Sequence, residues 1–325
     1  MPKAVTFRER LLKIGLVQRV FRWIDAMPRP PISIEISWDK ISAVRWSRTG
    51  SVEAFSVEAL AGGMIVPSAV DTNIADPEGV RAALARACNA VQAKDEHVAL
   101  LLPDPVVRIF VQHFDEFPRR SDEAIPLLRW KLKKSLPFEM ADTVLSYVQQ
   151  PSKDGGADVV TTIARLRVIR EYEGLVESVG LNAGVVSSSS LAALALLESD
   201  CPTLVARVSD RSLTTAIIRG GALCGYRCTE LPMPAAEVSP QVLFDEIYPL
   251  AAYYQDSWQV KIESVCLSGI VDRFAEFVAP FENEFKCKVL PLLRTNPADS
   301  RIVPGGIKLA EAGLDGQIGW MLSRG

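Results

Sequence analysis

The stretch that most directly suggests chemistry is "SIEISWDKISAVRW", residues 33–46, which has the pattern of a strand, a tight turn and a second strand. Polar and apolar residues alternate before the turn, and a second apolar run begins at Ile41. A hairpin that opens an α/β domain can hold phosphate when its turn supplies small residues and free backbone N–H groups. The turn here, Ser37-Trp38-Asp39-Lys40, contains no glycine. It therefore lacks the residues that phosphate binding of this kind requires.

The sequence offers few candidate residues for a catalytic triad or a metal site. The only histidines are His97 and His113, both in predicted strands, where a structural role is favoured over a place in a Ser-His-Asp triad. Of the six cysteines only Cys224 and Cys228 are close in sequence, so a zinc site lacks ligands and free thiols are expected. The serine run 187–190 is interpreted as a helix cap.

Composition favours an ordinary globular protein of about two domains. The chain has 325 residues, of which 48% are apolar and 23% charged, so it is long enough to bury two cores. Its formal net charge is −3, and nucleic-acid binding is therefore not expected. No apolar run reaches the ~18 residues that a bilayer span needs, and no signal-peptide pattern begins the chain. The sequence predicts a cytoplasmic protein.

Residues 1–31 differ in character from the remainder. They contain seven Lys or Arg residues against Glu9 and Asp25, and prolines at 28, 30 and 31 end a helical pattern. On a helical wheel this segment has two apolar stripes, formed by Leu12, Leu16, Val20, Trp23 and Met27 and by Phe7, Leu11, Ile14 and Phe21. One stripe can pack on the protein body while the other meets a partner or a membrane surface, where the basic residues would favour anionic lipid. Alternatively, the helix simply packs on the body.

A hairpin-led unit occurs twice, at 32–58 and at 203–228. Helices are predicted at 78–92 with Asp76 as N-cap, after Ser121, at 168–179, 240–257 and 271–284, and as one final helix over 307–322. Strands are predicted between them, including 97–104 and the pair 142–149 and 157–164. The repeat indicates an α/β protein with two similar lobes that face a cleft.

The two hairpins, together with Leu267-Ser268-Gly269, resemble the nucleotide-binding frame of the actin-like ATPase superfamily. The middle segment resembles the inserted subdomain of PilM, a type IV pilus assembly protein related to the cell-division protein FtsA. The residues that carry this resemblance are Pro118, Arg129-Trp130, Leu136-Pro137-Phe138 and Val144-Leu145-Ser146-Tyr147. The stretches 159–194 and 243–258 are similar to later parts of the same family.

The resemblance implies an actin-like two-lobed fold with a small α+β subdomain inserted in the first lobe. It divides the chain into a basic arm, 1–31; a first lobe, 32–105 and 181–200; an inserted partner-binding subdomain, 106–180; and a second lobe, 201–325.

The resemblance also shows how the nucleotide loops differ from those of active relatives, whose hairpins read D-x-G. Here Glu35 stands at the Asp position and Ser37 and Trp38 follow; the second hairpin has Arg207 and Ser209, and Ile270 follows Gly269. An Asp-to-Arg change replaces a metal ligand with a cation. The resulting degenerate nucleotide cleft comprises Glu35, Ser37, Trp38, Asp39, Lys40, Arg207, Ser209, Asp210, Ser268, Gly269 and Ile270. No catalytic residue, no ATPase activity and no cofactor is expected, and binding of Mg-ATP remains the alternative.

A peptide partner is also implied by the resemblance. It is the cytoplasmic N-terminal peptide of a PilN-like inner-membrane protein, expected in a groove that the inserted subdomain shares with the first lobe. The residues expected near it are Phe110, Phe114, Leu128, Trp130, Leu132 and Phe138. Other pilus assembly proteins, including the assembly ATPases, are further expected partners. The arm is expected to meet an anionic membrane surface, which would make the protein peripheral at the inner membrane.

Two alternatives remain open at this point. An active ATPase or sugar-kinase relative would need a catalytic acid in the cleft, for which Asp39, Asp210 and Asp272 are the candidates. A type II secretion module of the GspL kind shares the fold but is followed by a membrane span and a periplasmic domain. The sequence that ends at Gly325 shows neither, which favours the PilM-like interpretation.

Overall fold

The computed structural model describes residues 30–94, 97–152, 155–197, 199–209, 211–293 and 305–323. The predicted arm, apart from residues 30 and 31, lies outside these ranges, and so does Asp210.

A five-stranded sheet forms the centre of the first lobe. It contains β1 (Ile32–Ile36), β2 (Lys40–Trp46), β3 (Val52–Ala59), β4 (His97–Leu102) and β8 (Asn182–Ser188), in the order β3-β2-β1-β4-β8. β1 pairs antiparallel with β2, as the hairpin pattern predicts, and parallel with β4. All five residues of β1 are buried, so both faces of this strand are covered.

The second lobe repeats this sheet. Its strands are β9 (Thr203–Ser209), β10 (Ser212–Arg219), β11 (Ala222–Glu230), β12 (Ser264–Ser268) and β13 (Lys288–Pro291), in the order β11-β10-β9-β12-β13. Hairpin pairs are antiparallel, and β9, β12 and β13 are parallel, as in the first lobe. The predicted repeat of hairpin-led units is thus confirmed.

The inserted subdomain has a sheet of its own. β5 (Val107–Phe114), β6 (Thr143–Pro151) and β7 (Ala157–Arg165) form it in the order β5-β7-β6, and helix α2 (Ser121–Leu132) covers one face. Ser121 is the first residue of that helix rather than its cap; Arg120 occupies the N-cap position without a capping bond.

Helices α1 (Pro77–Ala90), α3 (Leu166–Glu177) and α4 (Ser189–Ala193) pack on the first lobe. The predicted N-cap of α1 is confirmed, because the Asp76 carboxylate accepts a hydrogen bond of 3.0 Å from the Gly79 amide. α3 was predicted within the inserted subdomain. Val168 and Tyr172 on its apolar face join a core cluster that contains first-lobe residues together with Ile109 and Val160 of β5 and β7, and the Tyr172 hydroxyl donates to the Asn73 side chain at 3.0 Å.

The second lobe has two further helices, α5 (Pro240–Trp258) and α6 (Phe274–Phe285). α6 begins three residues later than predicted, because residues 271–273 form a 3₁₀ turn. Leu243, Ile247 and Phe277 are buried in this lobe's core. Within the described parts of the chain, no helix is both long and apolar enough to cross a membrane.

The end of the chain forms two helices rather than the single helix predicted. α7 (Gly306–Glu311) and α8 (Asp315–Leu322) are separated at Gly313, whose φ of 67° breaks the helical path. Both pack mainly on the first lobe: Leu309 and Ile318 join the core cluster that contains the first-lobe sheet, and Trp320 is fully buried beside Leu101.

Two glycines let α8 approach α4 closely. A Cβ atom at Gly319 would overlap the backbone of Ala192, and one at Gly316 would overlap the Ser189 hydroxyl. Gln317, between these glycines, donates to the Ser33 carbonyl at 3.0 Å. This contact helps to explain why the polar residues of β1 are buried along with its apolar ones.

Gly319→Ala is expected to lower the free energy of unfolding by about 1–3 kcal/mol, because the added methyl has no space against α4. Chemical denaturation followed by circular dichroism measures this change. Gly174→Ala, also in a helix but with nothing within 4 Å of its added methyl, should be neutral or stabilising. Equal effects of the two substitutions would contradict the close approach of α8.

Candidate functional site in the cleft between the lobes

The first hairpin turn is closed by its own side chains. The Ser37 amide donates to the Lys40 carbonyl at 3.0 Å, and the Ser37 hydroxyl donates to Asp39 at 2.7 Å. The Lys40 ammonium donates to the Ala312 carbonyl at 3.2 Å, which ties the turn to the end of α7. The Ser37 amide and hydroxyl and the Lys40 ammonium are therefore engaged within the protein.

The centre of the cleft is occupied by the guanidinium of Arg207, at the end of β9. It forms two hydrogen bonds of 2.9 Å with the Asp315 carboxylate, one from Nε and one from Nη2. Its Nη2 lies 3.3 Å from Glu35 Oε1 and its Nη1 lies 3.4 Å from Asp104 Oδ2. All four side chains are buried. We call these four residues the interlobe cluster, because the cation comes from the second lobe and the three carboxylates from elements of the first.

Hydroxyl groups complete the coordination of Asp104. Its carboxylate accepts hydrogen bonds from Ser188 at 2.6 Å, from Thr214 at 3.1 Å, from the Ser190 amide at 2.9 Å and from the Ser190 hydroxyl. Thr214 lies on β10 of the second lobe, whereas both serines lie at the start of α4 in the first. The carboxylate is thus a second point at which the lobes are joined.

The other two acids have partners of the same kind. Ser189 donates to Glu35, and Asp315 accepts from the Ser268 hydroxyl at 2.5 Å and from the Gly316 amide at 2.9 Å. The serine run 187–190, expected to cap a helix, does so through Ser188, which accepts from the Leu191 amide. Ser188, Ser189 and Ser190 also bind the buried carboxylates, a role that the sequence alone did not indicate.

Burial and the neighbouring opposite charges shift the pKa values of Arg207 and Asp315 in opposite directions. Desolvation lowers the pKa of Arg207, but the charges of Asp315, Glu35 and Asp104 outweigh it and hold that pKa well above its ordinary value. Desolvation raises the pKa of Asp315, yet Arg207 and the Ser268 hydrogen bond bring it below its ordinary value.

The pKa of Glu35 is shifted in the opposite direction from that of Asp315. Desolvation raises its pKa and the charge of Asp315 adds to the rise, against the opposing effects of Arg207 and Ser189. Its Oε2 is buried and has no hydrogen-bond partner among the described residues. A carboxyl group in this setting holds its proton more readily than an exposed glutamate does.

The cluster does not have the form of a magnesium–phosphate site. Its three carboxylates face one cation that belongs to the chain, so part of the negative charge that would attract Mg²⁺ is already offset and the guanidinium stands where a metal ion would lie. Among the described residues, no group of three or more His, Cys, Asp or Glu side chains is placed to hold a metal ion. Gly269, at φ 82°, is required by the protein itself, because a Cβ there would overlap the Val208 carbonyl.

The structure brings together some predicted cleft residues and separates others. Glu35, Arg207 and Ser268 meet in the interlobe cluster. Ile270 is packed in the second-lobe core, and Trp38 and Ser209 lie at the mouth of the cleft. Among the candidate acids, Asp39 bonds within its own turn and Asp272 is exposed. Asp104 and Asp315 are the other two buried acids of the cluster beside Glu35, and sequence reasoning missed both.

The sequence position of Asp104 could have identified it as a cleft residue. It follows the buried strand β4, and β4 is a parallel neighbour of β1, so its carboxyl end lies beside Glu35. In open α/β sheets, functional groups gather at this edge. No comparable signal marked Asp315, because its place depends on the tail's return to the first lobe.

A cavity of about 560 Å³ opens beside the two hairpin turns. It is bordered by residues 63–70 of the first lobe, by Pro103, Pro105 and Arg108 at the start of the inserted subdomain, and by residues 209–212 and 228–230 of the second lobe, where described. We call it the cleft cavity. Arg165 of β7 donates to the Val70 carbonyl at 2.9 Å and fixes one wall.

The inserted subdomain is also joined to the second lobe. The Gln150 side chain donates to the Leu223 carbonyl at 2.9 Å and accepts from the Leu223 amide at 2.8 Å. This pair of bonds reproduces a strand pairing at the outer edge of β11, and both residues are buried. The three parts of the protein that border the cleft cavity are thus held to one another.

The six residues expected to line a peptide groove do not form one surface. Phe114, Leu128 and Leu132 are buried, and the first two belong to the core of the inserted subdomain, because the apolar stripe of α2 faces its own sheet. Phe110 and Phe138 are half-buried. Trp130 points outward from α2 and is 76% exposed. A substitution such as Leu132→Asp would therefore report on folding rather than on a partner.

The paired sheets and the cleft between them are the features of the actin-like ATPase fold, and the predicted fold class is confirmed. The structure is similar to that of a PilM–PilN type IV pilus biogenesis complex, with a TM-score of 0.68 and 16% identity over 91% of this chain and 98% of that one.

Two further solved structures are similar at lower scores. The cytoplasmic domain of EpsL, an inner-membrane component of the type II secretion system of Vibrio cholerae, has a TM-score of 0.47 and 12% identity over 73% of this chain and 80% of that one. A Bacteroides thetaiotaomicron protein of actin-like ATPase fold and unknown function has a TM-score of 0.45 and 12% identity over 81% of this chain and 90% of that one. The chain matches no family sequence model and no curated protein sequence.

Arg207→Met is expected to destabilise the protein by about 3–5 kcal/mol at neutral pH, because it leaves buried carboxylates without their cation. In the wild type the lowered pKa of Asp315 contributes stability above the ordinary Asp value of about 3.9. Without Arg207, burial raises that pKa instead, so the deficit of the variant should grow as the pH rises. Urea denaturation of the wild type and of Arg207→Met over a series of pH values measures this stability deficit.

Two variants serve as controls for this prediction. Arg86→Met removes a surface pair with Glu58 and should change stability by no more than about 1 kcal/mol at any pH. Arg207→Lys keeps the charge but loses the two-pronged hydrogen bonding to Asp315, and its deficit should be intermediate. A deficit of Arg207→Met that is small or independent of pH would show that the cluster does not join the lobes.

Proposed function

We propose that this chain is a non-enzymatic scaffold of a type IV pilus assembly complex or a related system, which binds the cytoplasmic N-terminal peptide of a PilN-like membrane protein. The observation that supports this most is the similarity to the PilM–PilN complex, because it covers 98% of that chain and extends into the inserted subdomain. Attachment to such a partner would hold the protein at the inner membrane and within reach of other assembly proteins, including the assembly ATPases.

The scaffold role without ATPase activity rests on the interlobe cluster. Phosphoryl transfer depends on a metal ion and on donors aimed at the phosphate. Here Arg207 lies among the carboxylates that could hold a metal, and Ser37 and Lys40 are bonded within the protein. Closure of the lobes, which nucleotides promote in many two-lobed enzymes, is supplied by the chain's own ion pairs.

The cleft cavity is the proposed place of the peptide. Its first-lobe wall presents Val66, 55% exposed, together with Pro67 and Val70, and Arg108 lies on the opposite side. Phe110 follows Arg108 on the same face of β5, so it extends this surface along the inserted subdomain. Apolar pockets beside backbone groups suit an extended peptide. Among the residues predicted from sequence, Phe110 is retained as a peptide contact at this cavity.

Mg-ATP is expected to produce no heat of binding in calorimetric titration of the wild-type protein. Arg207→Asp/Ser209→Gly replaces the cation with a carboxylate and adds a flexible residue, so this variant should be stabilised by Mg²⁺ or Mg-ATP, seen as a rise in melting temperature. Micromolar binding or ATP hydrolysis by the wild type would overturn the non-enzymatic part of the proposal and favour a nucleotide-dependent protein.

Val66→Glu is expected to weaken binding of a PilN-type N-terminal peptide at least tenfold, because it places a charge on the apolar wall of the cleft cavity. Fluorescence anisotropy with a labelled peptide from the PilN-like protein of the same organism measures the affinity. Val57→Glu, at a similarly exposed valine of β3, is the matched control and should bind as the wild type does. No measurable binding by the wild type would exclude this partner.

A further inference from the structure

The outward face of α2 has a side chain that the proposed function does not use. Trp130 is the most exposed of the large apolar side chains in the described residues, at 76%. It lies two positions from Leu128 and from Leu132, which puts it on the side of the helix away from the subdomain core. Single exposed apolar residues are common on soluble proteins and do not by themselves indicate a binding surface. The residues around Trp130 must therefore be considered as well.

Those surroundings are strongly basic. Residues 119–134 contain six Lys or Arg and two acidic residues, although the whole chain has a net charge of −3. The acidic residues lie near the first turn of α2, where Asp122 pairs with Arg120. At the other end, Lys133 and Lys134 follow Trp130, are exposed and form no ion pair with any described acidic residue. Lys131 instead lies over the Phe114 ring, 3.8 Å from its centroid.

The combination favours a bilayer over a protein as the partner. An indole ring prefers the boundary between headgroups and acyl chains, and lysine stems reach past it to anionic headgroups. Lysine is depleted at protein–protein interfaces, whereas juxtamembrane lysines each strengthen binding to anionic lipid about fivefold. Trp130 is also 76% exposed, so it is not seated in a pocket of the kind that anchors an extended peptide.

We propose that Trp130 of α2, with Lys133 and Lys134 of the 3₁₀ turn that directly follows the helix, forms a docking surface for an anionic lipid bilayer, which we call the α2 outer face. It goes beyond the peptide-binding function, since it lies on the inserted subdomain away from the cleft cavity. Stable peripheral attachment usually takes two weak signals, and the basic segment 1–31 provides a second basic sequence in the same chain.

The first test is co-flotation of the full-length protein with phosphatidylcholine vesicles that contain or lack phosphatidylglycerol. The wild type should bind only the anionic vesicles, and less at high salt. Lys133→Glu/Lys134→Glu should lower the partition coefficient at least about 25-fold, from about fivefold per lysine. Lys261→Glu/Lys308→Glu changes the net charge equally at two exposed lysines elsewhere, and it should bind as the wild type does.

The second test places Trp130 itself in the bilayer. Vesicles with brominated acyl chains quench tryptophans that enter the interface, including any in the basic segment. Trp130→Phe keeps an aromatic ring and should bind almost as the wild type does, but the quenched share of the fluorescence should fall. Because Trp130 is exposed, its replacement should leave the melting temperature unchanged, which circular dichroism checks.

The outcomes separate this proposal from the peptide proposal. It is overturned if Lys133→Glu/Lys134→Glu binds anionic vesicles like the wild type, if the control pair loses as much, or if Trp130→Phe leaves quenching unchanged. A Trp130→Ala variant that loses peptide affinity but not vesicle binding would assign this residue to the protein partner and also overturn it. Val66→Glu should leave vesicle binding unchanged, so either proposal can fail alone.

Discussion

The arrangement of the molecule depends on a single buried cation. Arg207 projects from the second lobe into a set of carboxylates that come from three separate stretches of the first lobe. Each of these acids would be costly to bury alone, and so would the guanidinium. Together the guanidinium offsets part of the negative charge and hydroxyl donors stabilise the carboxylates further, and the geometry that allows this exists only when the two lobes lie side by side. The ion pairs therefore specify the relative position of the lobes more than they add stability.

The same constraint explains the serines and the tail helix. Carboxylates that share one guanidinium retain oxygen lone pairs to be satisfied, and the hydroxyls of Ser188, Ser189 and Ser190 satisfy several of them. Asp315 reaches the cluster because α8 lies close against α4, which requires glycine at 316 and 319. Small residues, hydroxyls and acids scattered along the sequence are thus parts of one polar network in the interior.

Much of the fold could be predicted from the sequence because it is encoded locally. Alternating apolar residues and turn residues defined both hairpins, and Asp76 marked the start of α1. The errors concern long-range packing. The tail has apolar faces that fit any core, and only the folded chain shows that it packs mainly on the first lobe. Similarly, Arg207 was recognised as a cation in place of a metal ligand, but its partners Asp104 and Asp315 lie far from it in sequence.

The return of α8 to the first lobe also constrains the order of folding during synthesis. The Gln317 side chain bonds to the Ser33 carbonyl across 284 positions of the chain, so β1 remains uncovered on one face until α8 has left the ribosome. Contacts of such sequence separation form slowly, and the uncovered strand is open to aggregation meanwhile. The core of the first lobe is complete only when α8 has been made, and loss of α8 would remove the covering of β1 rather than a peripheral appendage.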